Sequence, residues 1–106
     1  MDLPEIFIKF VEKHGDIADK FKEISELCSR AGSLGSQNQH LVQLGVSIGA
    51  GSVGAVKSHA RRALEAGLSK EDIIQATLLS GTIIGFPAMI AAYSWVQEVI
   101  AQTEIK

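Results

Sequence analysis

The chain opens with an amphipathic pattern and continues with stretches that carry no charge. Residues 4–13 have the composition of a short helix, with Pro4 in its first turn and Gly15 at its end. The next apolar side chains follow the i, i+4, i+7, i+11 spacing of one buried helical stripe: Ile17, Phe21, Ile24 and Cys28. Charged residues are concentrated in this first part of the chain, which predicts that residues 1–33 form a helical wrapper, that is, a helical segment on the outside of the core helices.

The remaining helices are predicted from their start and stop signals. Ser36 and Gln39 have the spacing of a capping box, in which each side chain meets the backbone amide of the other. Ser52 and Ser69 are typical N-cap residues, and Gly85 begins a turn before a proline. These signals predict four helices. The first covers residues 36–49, the second begins after Ser52 and ends before position 67, the third covers 70–84 and the fourth covers 87–102.

No strand-like alternation of useful length occurs, so the predicted fold is all-α with six helices in one domain over residues 1–106. Within it, residues 36–102 are the core helices. The helix over 70–84 is apolar around its whole circumference and needs cover on every side, which predicts a homo-oligomer. The alternative is a tight monomer with an unusually apolar core.

Composition narrows the classes of partner. Twelve acidic and ten basic residues leave a formal charge of −2, which lacks the basic footprint of a nucleic-acid binder. Residues 73–97 are uncharged, but polar side chains and the break at Gly85 divide them into pieces too short for a membrane span. A single cysteine cannot close an internal disulfide, and the first residues lack the pattern of a secretion signal. We therefore expect a cytoplasmic protein that binds neither nucleic acid nor membrane.

Histidine is the side chain that titrates near neutral pH without help, and the chain has three. His14 lies at the end of the first predicted helix, where a capping role suffices. His59 shares a helical face with Ala55 and Ser52, and taken alone it is either a structural group or a catalyst. His40, taken alone, is a surface or interface residue.

The segment from His59 to Ile73 reads His-x-Arg-x-Ala-Leu-x-x-Gly-Leu-Ser-x-Glu-Asp-Ile, and Gly85 opens a Gly-x-Pro-Ala turn. Together these strings resemble the carboxymuconolactone decarboxylase and AhpD-like alkyl hydroperoxidase family. The resemblance covers roughly residues 3–100. It implies an all-α fold that assembles into trimers or hexamers.

The peroxidase branch of that family uses a Cys-x-x-Cys-x-x-x-His helix, in which one thiolate attacks the peroxide and the second resolves the sulfenic acid. Counting back from His59, the two cysteine positions hold Ser52 and Ala55. The position of the family's upstream Glu holds His40. Thiol peroxidase activity is therefore disfavoured, because neither Ser52 nor Ala55 supplies a redox-active thiol.

The decarboxylase branch is the closer resemblance, through the arginine after His59 and the Gly-x-Pro-Ala turn. It implies a cation that holds a carboxylate and a general acid or base that moves a proton. His59 fits the second role, and Arg61 or Arg62 fits the first, although the two point to different sides of one helix. The acid that this branch has one turn before the histidine is replaced by Ala55.

The predicted function is that of a lyase acting on a small carboxylated metabolite through His59. The alternative is a non-catalytic ligand-binding or scaffold member of the family. If the helices pack as in the family, His40 and His59 face one pocket, where they share a proton, bind an anion or hold a divalent metal. Neither a cofactor nor a metal is predicted. Ser52 either contacts the ligand or caps its helix, and Arg61 can pair weakly with Glu65.

Overall fold

The computed structural model describes residues 3–105, and every regular element within them is an α-helix. The helices are α1 (Glu5–Ser29), α2 (Ser36–Ala50), α3 (Val53–Glu65), α4 (Lys70–Ile84) and α5 (Phe86–Ile105). The all-α prediction is confirmed. Five helices replace the predicted six because the first two run together as α1, broken only at His14, where φ is −133° and ψ is 45°.

The chain divides into two compact units between Leu34 and Gly35, and α1 is the helix of the first unit. None of its residues is buried, so the stripe predicted to be buried is exposed: Ile17, Phe21, Ile24 and Cys28. A helix that is alone in its unit has no second helix there against which to pack an apolar face. The wrapper role of residues 1–33 stays a prediction.

Helices α2 to α5 form the second unit around one apolar core. Helix α2 packs against α3 and α4, and α5 packs against α3 and α4. Each helix contributes fully or nearly fully buried side chains, among them Leu44, Ile48, Val56, Ala60, Ala63, Ile73, Ala92, Val96 and Val99. In the described part of the chain, no helix combines the length and the apolar character that crossing a membrane requires.

Several large apolar side chains of α4 and α5 remain exposed on the outside of this unit: Leu78, Leu79, Ile83, Phe86 and Ile90. The exposed fraction of Ile83 is 86%. Exposed apolar side chains favour association with another surface where they form a continuous patch. The predicted homo-oligomer depends on this surface and stays a prediction.

Serine side chains cap the N-termini of α3 and α4, whereas no side chain caps α2. The hydroxyl oxygens of Ser52 and Ser69 accept hydrogen bonds from the backbone amides of Ala55 and Asp72, at 3.4 and 3.1 Å, as predicted. The capping box at Ser36 is wrong. The Gly35 carbonyl already accepts the Gln39 amide at 3.0 Å, so Gly35 takes the N-cap position and no side chain caps α2.

A tight corner joins α4 to α5. Gly85 has φ 96° and ψ 163°, a backbone conformation that is essentially restricted to glycine. One turn earlier, a Cβ atom added to Gly81 would lie 2.6 Å from the Met89 Cγ atom and 2.9 Å from its Cβ atom. The close approach of the two helices therefore depends on the missing side chain at Gly81, whereas the corner needs glycine at position 85 for its backbone conformation.

We expect Gly85→Ala to lower the free energy of unfolding by about 1–3 kcal/mol, because alanine is strained at this φ. Gly45→Ala is the matched control. Its added Cβ meets nothing within 4 Å, and in a helix interior alanine is favoured over glycine by up to about 1 kcal/mol. Urea denaturation of the three proteins measures both effects. An unchanged unfolding midpoint in Gly85→Ala would contradict the corner described above.

Candidate functional site

The candidate site lies where α2 packs against α3. Ser52 fixes the start of α3, whose buried stripe consists of Val56, Ala60 and Ala63. His59 lies one turn from Val56 and one turn from Ala63, so the packing of α3 draws its imidazole into the half-buried margin of the core. His40 lies one turn before the buried Leu44 of α2 and is also half-buried.

Both histidines carry a buried nitrogen atom without a partner. The Nδ1 atoms of His40 and His59 are inaccessible to solvent, and neither has a hydrogen-bond partner within residues 3–105. Buried polar atoms in native proteins are nearly always paired, and one left unpaired costs about 1–3 kcal/mol. Two such atoms on packed helices set this place apart from the rest of the core, and a ligand site here stays a prediction.

The surroundings of the His59 imidazole favour its neutral form. Burial lowers the pKa of His59 below its ordinary value of about 6.5, and the positive charges of Arg62 and His40 lower that pKa further. The interaction with His40 also shows that α2 and α3 bring the two imidazoles into electrostatic range of each other. The sequence-based prediction that the two histidines face one pocket stays a prediction.

The structure separates the two arginines. The Arg61 side chain is only 12% exposed, and its Nε atom lies 4.0 Å from the Glu65 Oε1 atom, which is the predicted weak pairing. Arg62 is exposed, and its charge acts on His59. Of the two arginines predicted to hold a substrate carboxylate, Arg62 is therefore the one whose charge acts on the His59 imidazole.

Ser52 has a structural partner of its own. Its hydroxyl oxygen accepts the Ala55 amide and so performs the capping role that was one of its two predicted roles. Lys57, on the same helix, forms an ion pair with Glu98 of α5. The structure thus places His40 and Arg62 within electrostatic range of His59. Catalytic roles for His40 and His59 and ligand contacts by Ser52, Arg61 and Arg62 stay predictions.

A separate groove of about 590 Å³ lies between α2 and α4. Its lining is mostly apolar and consists of Leu41, Val42, Gly45, Asp72, Gln75, Ala76, Leu79 and Ser80. Neither His40 nor His59 lines it. The sequence analysis did not identify this groove, although the small residues Gly45 and Ala76 within two otherwise apolar helices are a signal for such a space.

The lowered pKa of His59 predicts a specific dependence of stability on pH. As the pH falls below about 6.5, the unfolded chain takes up a proton at this position before the folded chain does, so stability is lost through that window down to the folded-state pKa. We expect His59→Gln to lose less stability than the wild type between about pH 7.5 and pH 5.5. His14→Gln, at an exposed site on α1, is the control and should follow the wild type. Denaturant titrations at the two pH values measure the difference, and equal losses in all three proteins would contradict it.

Comparison with known proteins places this architecture in a family. The sequence profile described as "Carboxymuconolactone decarboxylase family" matches residues 15–98, which include α2, α3, α4 and most of α1. Neither a curated protein nor a solved structure matches the chain. The match extends over most of the 106 residues and includes His40, His59 and Arg62. The chain belongs to the carboxymuconolactone decarboxylase family.

Proposed function

We propose that this protein is a lyase that removes a carboxylate from a small carboxylated metabolite as carbon dioxide. His59 is the general acid or base, and Arg62 holds a carboxylate of the substrate. The observation that carries this proposal is the half-buried His59, whose Nδ1 atom has no hydrogen-bond partner in the described part of the chain and whose pKa is lowered by burial and by the Arg62 charge. An imidazole tuned by burial and a neighbouring charge is typical of a proton-transferring group.

The chemistry explains both roles. Loss of carbon dioxide breaks a carbon–carbon bond and leaves its electron pair on the substrate carbon, where a proton must be added. One carboxylate and one proton thus become one C–H bond and one carbon dioxide molecule. His59 delivers the proton as an imidazolium and ends neutral, the state that its surroundings favour.

The role of Arg62 places a condition on the substrate. A guanidinium binds a carboxylate strongly through charge-assisted hydrogen bonds. If it held the departing group, that attraction would oppose the conversion of a carboxylate to neutral carbon dioxide. Arg62 therefore holds a carboxylate that stays on the molecule, and the proposed substrate class is a small dicarboxylate.

Thiol peroxidase chemistry does not fit this arrangement. The two positions that carry cysteines in the peroxidase branch hold Ser52, which caps α3, and Ala55. The single cysteine, Cys28, lies on α1 and is exposed. A dithiol mechanism needs a second, resolving thiol, which this chain does not have.

We expect the protein to bind succinate and to discriminate against its uncharged analogue succinamide. Arg62→Gln should weaken succinate binding about tenfold or more, because a hydrogen bond to a charged group contributes about 1.5–3 kcal/mol. Arg61→Gln is the matched control one position away and should leave binding within about threefold of the wild type. Isothermal titration calorimetry measures all three proteins. A larger loss in Arg61→Gln than in Arg62→Gln would refute the assignment of the clamp.

The second candidate function is a non-catalytic ligand-binding protein. It is favoured by the position of the groove, which His40 and His59 do not line. Incubation with a carboxymuconolactone separates the two candidates. The lyase releases carbon dioxide at a rate that falls at least about 100-fold in His59→Gln, whereas a binding protein gives the same background rate with and without His59.

A further inference from the structure

We propose that α1 pairs with the α1 helix of a second copy of this chain, parallel and in register, along one apolar seam. This pairing does not depend on the proposed function. It also differs from the association predicted for the apolar surface of α4 and α5, because α1 lies in the other compact unit of the chain.

The seam follows a seven-residue repeat. Its positions are separated by three and four residues in strict alternation: Phe7, Phe10, His14, Ile17, Phe21, Ile24 and Cys28. All of them except His14 are apolar, and cysteine behaves here as a small apolar side chain. This spacing, sustained over three repeats, is typical of a helix that pairs with another helix along its length. Every seam residue is exposed, so the seam is open to a partner.

The face opposite the seam is acidic in every repeat. The positions about half a turn away from it are again seven residues apart: Glu5, Glu12, Asp19 and Glu26. Carboxylates lose free energy when they are taken out of water. The acidic face therefore belongs on the solvent side of α1, and the seam belongs on the side of the partner.

The kink at His14 selects the parallel, in-register arrangement. Here φ is −133° and ψ is 45°, so α1 changes direction at this residue. Two kinked helices contact each other on both sides of the bend only if the two bends lie at the same level. A parallel, in-register pair sets His14 opposite the same residue of the second copy. In an antiparallel pair that keeps the seams aligned, the reversed spacing sets His14 opposite Phe10 or Ile17 instead.

The residues that flank the seam agree with this arrangement. In a parallel pair, each residue just before Phe21 or His14 on one helix lies near a residue of the partner helix five positions further along. Lys13 and Lys20 thus lie near the small, uncharged Ala18 and Ser25 of the second copy. An antiparallel pair of full overlap would set Lys13 beside Lys20 twice, and like charges at such positions repel.

Cys28 reports on the pairing because it is a seam residue and the single cysteine of the chain. A parallel, in-register pair sets the two Cys28 side chains opposite each other. We expect mild oxidation of the dilute intact protein to give a disulfide-linked dimer, because a disulfide forms only between cysteines that lie close together. The double variant Cys28→Ser, Ile24→Cys keeps a cysteine on the seam and should cross-link as well. The double variant Cys28→Ser, Glu26→Cys moves it to the acidic face and should give about tenfold less dimer or lower still.

Sedimentation equilibrium under reducing conditions tests the seam without a cross-link. Phe21→Glu should raise the dissociation constant of the pair at least about 100-fold, because each dimer loses two buried aromatic rings and gains two carboxylates in an apolar seam. Lys22→Glu is the matched control, with the same new side chain one residue outside the seam, and should stay within about threefold of the wild type. No residue of α1 is buried within the chain, so both variants should keep the wild-type urea midpoint.

Three results would overturn the pairing. A reduced protein that stays monomeric has no pair, and equal cross-linking from positions 26 and 28 indicates random collision. An oligomer that is unchanged in Phe21→Glu indicates an interface elsewhere, such as the apolar surface of α4 and α5. Association that is lost in Phe21→Glu, but without cross-linking through Cys28, indicates that α1 docks on a different surface, and it also contradicts the parallel pair.

Discussion

The packing of α3 against α2 and α5 is the interaction on which the candidate site depends. Ala60 and Ala63 are fully buried and small, and together with Val56 they give α3 a narrow stripe that neighbouring helices can approach closely. His59 lies beside that stripe and is carried into a drier environment than a surface histidine has. A larger residue at either alanine would force the helices apart, admit water beside His59 and remove the physical basis of its lowered pKa.

The helical repeat then distributes the charges around this imidazole. Successive residues of a helix point about 100° apart, so Arg61 and Arg62 reach different surroundings although they are neighbours in sequence. Arg61 lies along the protein surface toward Glu65, mostly covered, while Arg62 remains exposed and acts on His59. An imidazole whose neutral form is favoured, within electrostatic range of a cation that has no ion-pair partner among residues 3–105, is an arrangement that favours an anion, because an anion improves the environment of both groups at once.

The fold was predictable where local chemistry decides the outcome. The bounds of α4 and the caps at Ser52 and Ser69 follow from residues within one turn of each helix start. The capping box at Ser36 failed because the backbone entered the helix one residue earlier, at Gly35, a choice that the side-chain pattern does not reveal. The predicted burial of the α1 stripe failed because an amphipathic pattern indicates an apolar face without indicating what covers it.

The candidate site was predictable only in its residue types. The resemblance to the family singled out His40 and His59, but the choice between Arg61 and Arg62 depends on which side chain the Glu65 carboxylate approaches. The groove between α2 and α4 arises from two helices far apart in sequence, and the small residues Gly45 and Ala76 do not by themselves reveal which helices meet there.

The uncapped start of α2 has a consequence for how the two imidazoles separate. A serine cap contributes about 1 kcal/mol to the helix that it begins, and α3 has one whereas α2 does not. His40 lies within the opening turns of α2, while His59 lies at the middle of α3. Fraying of α2 from its N-terminus would therefore displace His40 before it affects His59.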